Sequence, residues 1–480
     1  MTAPASISSN VSGVSIAKES TPKVLPGTPI WRAQEPNSYG DTGEKITVIS
    51  RTPINDLRKN LKGGTTDRES NAGYNTDITQ DNMKYLLEGL FCQAPFEKTD
   101  TQGINGSVVP ITSVATTGLY NAASGLAFVV NDLVLASGFT NAANNGFGHV
   151  TAVTGATQVD TDIATVTESS PPATAKVQKV GFQFATADVV AASAGGVLTL
   201  TSTIKDMTDF DLEIGEWIFI GDTANAAYSF PGCSGYARVL SVSTNVITCD
   251  KLTSTFSDGT ATGKTIRIFF GTTYQDIRDA TDAIEITYQV ERQLGNDGAG
   301  IQSQYIRGCY ADKLAVKIPT AGKIDADLTF VALDTEIVPG STGIKAGTRV
   351  AIPNQEFVNT SSNVYRMALN LIDNTLAPAS QFAHISEVNF DIDNGYKPAK
   401  AIGTVGAFDV TSGNFTVKGT LNGYFSTLAA IQAIADNDDV TLDVIIAKHN
   451  AGFVIDFPLL TLGGGNLQIA VNEKSKFRLI

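Results

Sequence analysis

The chain has 480 residues, a formal net charge of −14, 42% hydrophobic residues, 44 glycines and 17 prolines. That length exceeds one ordinary core and implies two to four domains, while the apolar content excludes a disordered chain. The acidity argues against gripping nucleic acid by its phosphates, which requires clustered Lys and Arg; it fits solubility, or a surface that nucleic acid must pass without sticking.

Residues 1–25, rich in Ser and poor in large apolar side chains, read as a flexible arm. Residues 27–41, with Trp31, Pro36 and Tyr39, read as a turn-rich segment. The clearest unit is 46–93: a strand at 46–50, a long polar loop at 51–66, a second strand and a helix. Met83, Leu86, Leu87, Leu90 and Phe91 fall at i, i+3, i+4, i+7 and i+8, one apolar helix face. Thr79 or Asp81 is the expected cap, and Pro95 the expected stop. The loop gathers Arg51, Arg58, Lys59 and Lys62, with Arg68 just beyond. Such a basic cluster in an acidic chain is either a solvated surface or a contact for an acidic neighbouring subunit.

Residues 114–270 are rich in Gly, Ala and Thr, with short strands at regular spacing, an all-β signature. They repeat internally at about 126–163 and 212–252. Val130-Asn131-Asp132-Leu133 matches Ile214-Gly215-Glu216-Trp217, Asn141-Ala142-Ala143 matches Asn225-Ala226-Ala227, and Gly146-Phe147-Gly148 matches Gly235-Tyr236-Ala237. Two small barrel-like or immunoglobulin-like modules are the expectation.

Strands follow at 284–290, 314–318 and 324–330, with a Gly/Asn/Asp loop at 294–301. Residues 386–436 then echo 46–93. Val388, Phe390 and Ile392 alternate with polar residues, and a loop at 394–406 carries Lys397 and Lys400. A strand at 414–421 precedes a helix read through Tyr424, Leu428, Ile431 and Ala435. Gly73-Tyr74-Asn75-Thr76 pairs with Gly413-Asn414-Phe415-Thr416 in this reading. A β-hairpin is expected over 440–462, turning at Asn450-Ala451-Gly452.

Chemistry is not signalled. Gly263-Lys264-Thr265 ends like a phosphate loop, but Asp258 replaces the required glycine and a strand pattern follows where a helix is needed. Asp436-Asn437-Asp438-Asp439 lacks the glycine and glutamate of a calcium loop. His149, His384 and His449 are far apart, and Cys92, Cys233, Cys249 and Cys309 show no CxxC spacing, so neither a metal centre nor a disulfide framework is expected. Gly232-Cys233-Ser234-Gly235 is not a nucleophile elbow. No segment approaches 18 uninterrupted apolar residues, and the N-terminus lacks the marks of a signal peptide. The expectation is a structural protein without catalytic residue, cofactor or metal.

Three runs resemble the major tail tube protein of long-tailed, non-contractile bacteriophages. The first holds Trp31, Glu35-Pro36-Asn37-Ser38-Tyr39, Arg51-Thr52-Pro53-Ile54, Arg58, Lys62-Gly63, Asp67, Gly73-Tyr74-Asn75 and residues 86–91. The second runs from Val290-Glu291-Arg292-Gln293-Leu294 to Ala326-Asp327-Leu328-Thr329-Phe330. The third runs from Ile385-Ser386-Glu387 through Gly406-Ala407-Phe408-Asp409 and Asp438-Asp439-Val440 to Phe457-Pro458-Leu459-Leu460.

The resemblance implies an all-β fold, a tail-tube β-sandwich or barrel with one flanking helix, present twice in some members. It implies a homo-oligomeric ring, a trimer with a pseudo-sixfold lumen or a hexamer. Rings stack into a tube through which phage DNA passes without specific binding, and other tail proteins meet the tube ends. It places the protein in the virion tail, assembled in the host bacterial cytoplasm. Expected boundaries are 26–113 for the first part of the tube fold, 114–270 for surface modules and 271–480 for the second part. The loop carrying Arg51, Arg58, Lys59, Lys62 and Arg68 is the expected inter-ring contact, and the loop carrying Lys397 and Lys400 is its expected second copy. The alternative is a carbohydrate- or host-surface-binding β protein acting through 114–270.

Overall fold

Alternating apolar and polar side chains set the architecture: strands dominate, and two α-helices occur among the described residues. The computed structural model describes all residues except 1–11, 41, 53, 55–60, 80–81, 97–108, 124–125, 173–174, 232–233, 257, 261, 278–280, 282, 352–355, 372–378, 381–383, 425–427, 449–450, 469–475 and 480. The chain divides into two compact units, one of Met1–Ala94, Gln275–Leu369 and Ser380–Ile480, the other of Pro95–Tyr274 with Asn370–Ala379.

Strands outside 95–274 are β1 (Gly13–Lys18), β2 (Ile30–Gln34), β3 (Pro36–Tyr39), β4 (Gly43–Arg51), β5 (Leu61–Asp77), β6 (Tyr288–Asn296), β7 (Ile301–Ile318), β8 (Asp325–Ala332), β9 (Asp334–Val338) and β10 (Thr348–Val350). They continue as β11 (Val364–Leu371), β12 (Ala379–Ser380), β13 (Ile385–Asp393), β14 (Lys397–Ala399), β15 (Asp409–Thr411), β16 (Thr416–Tyr424), β17 (Val440–Lys448), β18 (Ala451–Leu460), β19 (Gly464–Gln468) and β20 (Lys476–Leu479). Helix α1 (Lys84–Phe91) follows β5, and α2 (Ala429–Asp436) follows β16.

One continuous path of paired strands runs β4-β5-β8-β7-β13-β16-β20-β19. Its core face carries Tyr74, Leu328, Phe330, Leu314, Val316, Val388 and Phe390, all buried. Each such side chain contributes roughly 1.5–3 kcal/mol on leaving water. A second layer pairs β2-β1-β6 with the first half of β7, and a separate sheet has the order β12-β11-β17-β18. Between β2 and β7, Trp31 and Tyr305 are fully buried and pack edge to face at 5.6 Å. Buried Glu291 accepts from the Tyr305 hydroxyl at 2.6 Å and from both terminal nitrogens of Arg349 at 2.5 and 2.9 Å. A charge so deep is tolerated because every part of it is bonded.

The pairing order recurs within the chain. β1 lies between β2 and β6 as β11 lies between β12 and β17; β5 pairs with β8 and β8 with β7, as β16 pairs with β20 and β20 with β19. Register follows. Asp77, the last residue of β5, faces Asp325, which faces Lys317. Tyr424, the last residue of β16, faces Lys476, which faces Gln468. Counting back equally from those two ends, Gly64 faces Ile49 and Thr411 faces Lys397.

Several sequence expectations need correction. Within the stretch read as a flexible arm, β1 is a strand with Val14, Ile16 and Ala17 buried. The loop expected at 51–66 is strand at both ends, Arg51 closing β4 and 61–66 opening β5, with Arg51 paired to Leu61. The loop expected at 394–406 likewise holds β14, which pairs with β15. The loop expected at 294–301 narrows to a turn at 297–300 between β6 and β7. Helix α1 starts from Met83, with no side-chain cap, so Thr79 does not cap it; Cys92 at φ 50° ends it before Pro95 is reached. The 73–76 and 413–416 match is out of step, because 73–76 lie near the end of β5 whereas 413–415 precede β16.

In the other unit, Pro95–Tyr274 holds two small barrel-like modules, joined where Arg267–Phe269 of the second pairs with Lys176–Gln183 of the first. Strands Val109–Ala115, Leu119–Ala122, Gln158–Thr161, Gly146–Thr154, Asp132–Ser137 and Lys176–Gln183 pair in that order, and the last pairs back to the first. The second follows the order Val190–Ala194, Val197–Thr201, Val246–Asp250, Gly235–Ser243, Trp217–Ile220 and Arg267–Phe269, with Gly259–Thr260 on the far edge of Val190–Ala194. Each has its own apolar core, one around Tyr120, Val134 and Val150, the other around Phe184, Phe210 and Ile218. The same turn opens the central strand of both. Asn131 (φ 76°) precedes Asp132, whose carboxylate accepts from Val129 N; Gly215 (φ 92°) precedes Glu216, whose carboxylate accepts from Glu213 N. A short 3-10 turn headed by Asn141 in one and Asn225 in the other follows.

Candidate functional site

Strand periodicity puts alternate residues of the eight-strand path on its outer face. Register places Asn75 and Asp77 of β5 beside Asp327 and Asp325 of β8, and these beside Ala315 and Lys317 of β7. Those face Asp391 and Asn389 of β13, which face Lys418 and Thr420 of β16. The result is a polar surface rich in carboxylates, on which Lys313, Lys317 and Lys323 are drawn into pairs while Lys418 stands exposed. Lys317 Nζ lies 2.6 Å from Asp327, Lys313 Nζ 2.8 Å from Asp391, and Lys323 Nζ 2.6 Å from Asp77. Asn75 Nδ2 donates to Asp327 at 2.7 Å. Partial burial pushes the Asp327 carboxyl up, but Lys317 and Asn75 outweigh it and hold it below its ordinary range. The Asp327 hydrogen bond in turn raises Lys317. Exposed cross-strand pairs of this kind contribute little stability singly; their effect is on the charge the face presents.

The β4–β5 hairpin leaves this sheet and is solvated on both sides. Ile46, Val48 and Ile49 are each about half exposed or more (49%, 55% and 63%), and Ile54 at the tip is fully exposed. Arg51, Lys62 and Arg68 are exposed along the hairpin, and Arg68 lies 3.6 Å from Glu44. Arg58 and Lys59 lie outside the described residues. From the second half, Lys397 is exposed on β14, while Lys400 reaches β5, 2.5 Å from Asp67 and 2.9 Å from Glu69. Lys400 holds the Asp67 carboxyl below its ordinary range, and the two carboxylates raise Lys400. The two loops read as copies of one another therefore meet through this lysine. Ile402, Val405 and Phe408 stand exposed just after it.

The helix faces behave differently. In α1, Leu86 and Leu90 are buried, as is Met83 at its start, and Leu87 and Phe91 are half-buried, with Phe91 6.0 Å from the Phe415 ring. Gly89 is packed so tightly that its N–H donates to the Tyr288 hydroxyl at 3.1 Å. In α2 the expected face does not hold. Tyr424 belongs to β16, Leu428 is the 69% exposed residue heading the helix, and Ile431 is only half-buried; Ala433 makes the buried contact. The 424–428–431 spacing crosses a strand end and a helix start, so it never forms one face.

The polar outer face escaped the sequence reading. Its signal was the polar partner in each alternation, Asn389, Asp391 and Asp393 among them, but not which strands stand side by side. Among the described residues no group of three or more His, Cys, Asp or Glu is placed to hold a metal ion, and no helix is long and apolar enough to cross a membrane. Lys264 donates to Ala226 O and Thr265 N to Ala227 O, so the Gly263-Lys264-Thr265 stretch is fastened to the 3-10 turn at Ala226–Tyr228.

No curated protein matches the chain. A family profile described as phage tail tube protein matches residues 209–475, more than half of the sequence, beginning inside the second barrel and spanning β6 to β19. The Trp31–Phe91 run lies outside that match, although residues 70–77 of β5 pair with the whole of β8 inside it. The strand-dominated fold and this match together show that the chain belongs to the phage tail tube protein family.

Proposed function

We propose that this structural tail protein polymerises as stacked rings into the phage tail tube, with the polar outer face of the eight-strand sheet turned to the bore as the conduit for DNA. The observation that carries this reading is the recurrence of one pairing order in a single sheet, β4-β5-β8-β7 and then β13-β16-β20-β19. A chain carrying the tube fold twice needs three copies to complete a pseudo-sixfold ring. The face carries a row of carboxylates, and with Lys313, Lys317 and Lys323 held in ion pairs it offers phosphates few contacts. The β4–β5 hairpin, with Arg51, Arg58, Lys59, Lys62 and Arg68, and the neighbouring stretch with Lys397 and Lys400, serve as contacts between rings. No step in this role calls for catalysis. The experiment is negative-stain microscopy of the concentrated protein: hollow tubes of uniform width support the reading, and dispersed single subunits at every concentration overturn it.

A further inference from the structure

A cavity lies within the insertion, where the strand Lys176–Gln183 passes from one barrel-like module to the other. Val177 of that strand is buried in the core of the first module and Phe182 in the core of the second. Between them, at Lys179 to Gly181, its pairing register with Asp132–Ser137 shifts. An irregularity of this kind re-aims the side chains around it. A cleft of about 350 Å³ opens there, lined by Val129 and Val130 from the first module, Lys179 and Phe182 from the shared strand, and Lys205 and Asp209 from the second. Small ligands are commonly held in clefts of this size where two modules meet.

The lining combines an apolar wall with two cations. Val129 and Val130 keep 38% and 49% of their surface open to solvent. The Lys179 side chain is only 9% exposed, and its Nζ lies 2.8 Å from Oδ1 of fully buried Asp132, an ion pair set off the direction of a hydrogen bond. Asp132 Oδ2 already accepts from Val129 N. An ammonium carries three donors, and Asp132 is the one partner of Lys179 among the described residues, so donors remain for an acceptor in the cleft. Lys205 Nζ stands 5.4 Å from the centres of both the Phe182 and Phe210 rings and is paired with Asp209. Burial pushes the Asp132 carboxyl up against the pull of both Lys179 and Lys205, so the two ammonium groups act on one neighbourhood. A phosphate dianion would make no use of the apolar wall and would meet the Asp209 carboxylate. An uncharged apolar ligand would leave the ammonium donors unanswered.

We propose that this cleft binds a sugar ring bearing a carboxylate, a uronic acid. The carboxylate accepts from Lys179 and Lys205 in charge-assisted hydrogen bonds, the C–H face of the ring lies on Val129 and Val130, and a ring hydroxyl donates to Asp209. A free uronic acid and one carried in an acidic polysaccharide offer the same chemistry. The site belongs to the insertion alone and does not depend on the tube reading.

The test is equilibrium dialysis of the full chain against glucuronate, trigalacturonate, glucose and acetate. Glucuronate is expected to bind at least about tenfold more tightly than glucose, which lacks the charge-assisted hydrogen bonds, and more tightly than acetate, which lacks the ring. Trigalacturonate binding as well assigns the site to a polysaccharide, and glucuronate binding alone assigns it to the free acid. Lys205→Gln leaves the buried Lys179–Asp132 pair in place and should weaken glucuronate binding about tenfold. Val130→Tyr, at the open rim, should block the ring without altering either lysine, and decides the matter if Lys205→Gln does not fold. Absence of binding by both uronates at millimolar concentration, equal binding of glucose or acetate, or glucuronate binding unchanged in the folded variants would overturn the proposal.

Discussion

Lys400 Nζ sits 2.5 Å from Asp67 Oδ2 and 2.9 Å from Glu69 Oε1, so the residue just after β14 is tied to the long β4–β5 hairpin. The contact is solvent-exposed, and its role is to fix the direction of the hairpin more than to stabilise the fold. Lys400→Met is expected to leave the melting temperature nearly unchanged but to slow polymerisation, read by light scattering. The Asp67 carboxyl is depressed by Lys400, so the contact is intact above the ordinary aspartate range and is lost as pH falls through the lowered folded value. Polymerisation should therefore weaken on acidification in the parent protein, with less of that dependence in Lys400→Met. Equal acid sensitivity in both would remove Lys400 from the account.

The hairpin tip is the second test. Reversing charge at Arg58, Lys59 and Lys62 to Glu should give soluble, folded subunits with unchanged circular dichroism but few tubes. Normal tubes would make these residues a solvated surface only.

On the outer face of the sheet, Asp327 and Asp391 each neutralise a lysine. Asp327→Asn with Asp391→Asn should permit assembly but expose Lys317 and Lys313 to passing phosphates. Each new contact steepens the salt dependence by about 0.9 in log–log slope. DNA release from reconstituted tails should slow at low salt and recover at high salt. Release unaltered at low salt would mean this face does not meet DNA.

Helix α1 has no room to spare at Gly89. A Cβ there meets the Tyr288 ring at 2.6 Å and its hydroxyl at 2.7 Å, and that hydroxyl also donates to Tyr85 O at 2.7 Å. Gly89→Ala should cost about 1–3 kcal/mol in denaturant unfolding through overpacking. Tyr288→Phe in the same chain should restore part of it by removing the hydroxyl. An undiminished stability in Gly89→Ala would show that the helix is free to shift.

The two-barrel insertion is fastened at its base. Phe96 N donates to Thr273 O at 2.9 Å and Thr273 N to Phe96 O at 3.1 Å, bringing the two connecting segments together. A fragment of 95–274 should fold cooperatively, and joining Ala94 to Gln275 should leave a chain that still polymerises. Removing 114–270, the interval drawn from composition, cuts through the strand Val109–Ala115 and should yield aggregated protein. Loss of polymerisation in the 95–274 deletion would give the insertion a role in assembly.

What the sequence disclosed was local. The Leu86–Leu90 face of α1, the Val388–Phe390–Ile392 alternation and the Asn141 and Asn225 turns are visible because each depends on a few adjacent residues. Partners were not: Asp77 faces Asp325 across the whole insertion, and no alternation pattern names a strand's neighbour. Lys62 to Thr66 looked like loop because a hairpin solvated on both sides shows no apolar period. Strand β1 was masked by small residues, Ser15 and Ala17, on either side of Ile16. Of the expected contact residues, Lys400 could be found as a charge but not as a partner of Asp67, and the polar face depends on register across five strands.

The most direct test of a twice-carried tube fold is the mass per axial repeat of purified tubes by scanning transmission electron microscopy. Three chains of 50.5 kDa per ring is the expected result; six chains per ring would contradict it.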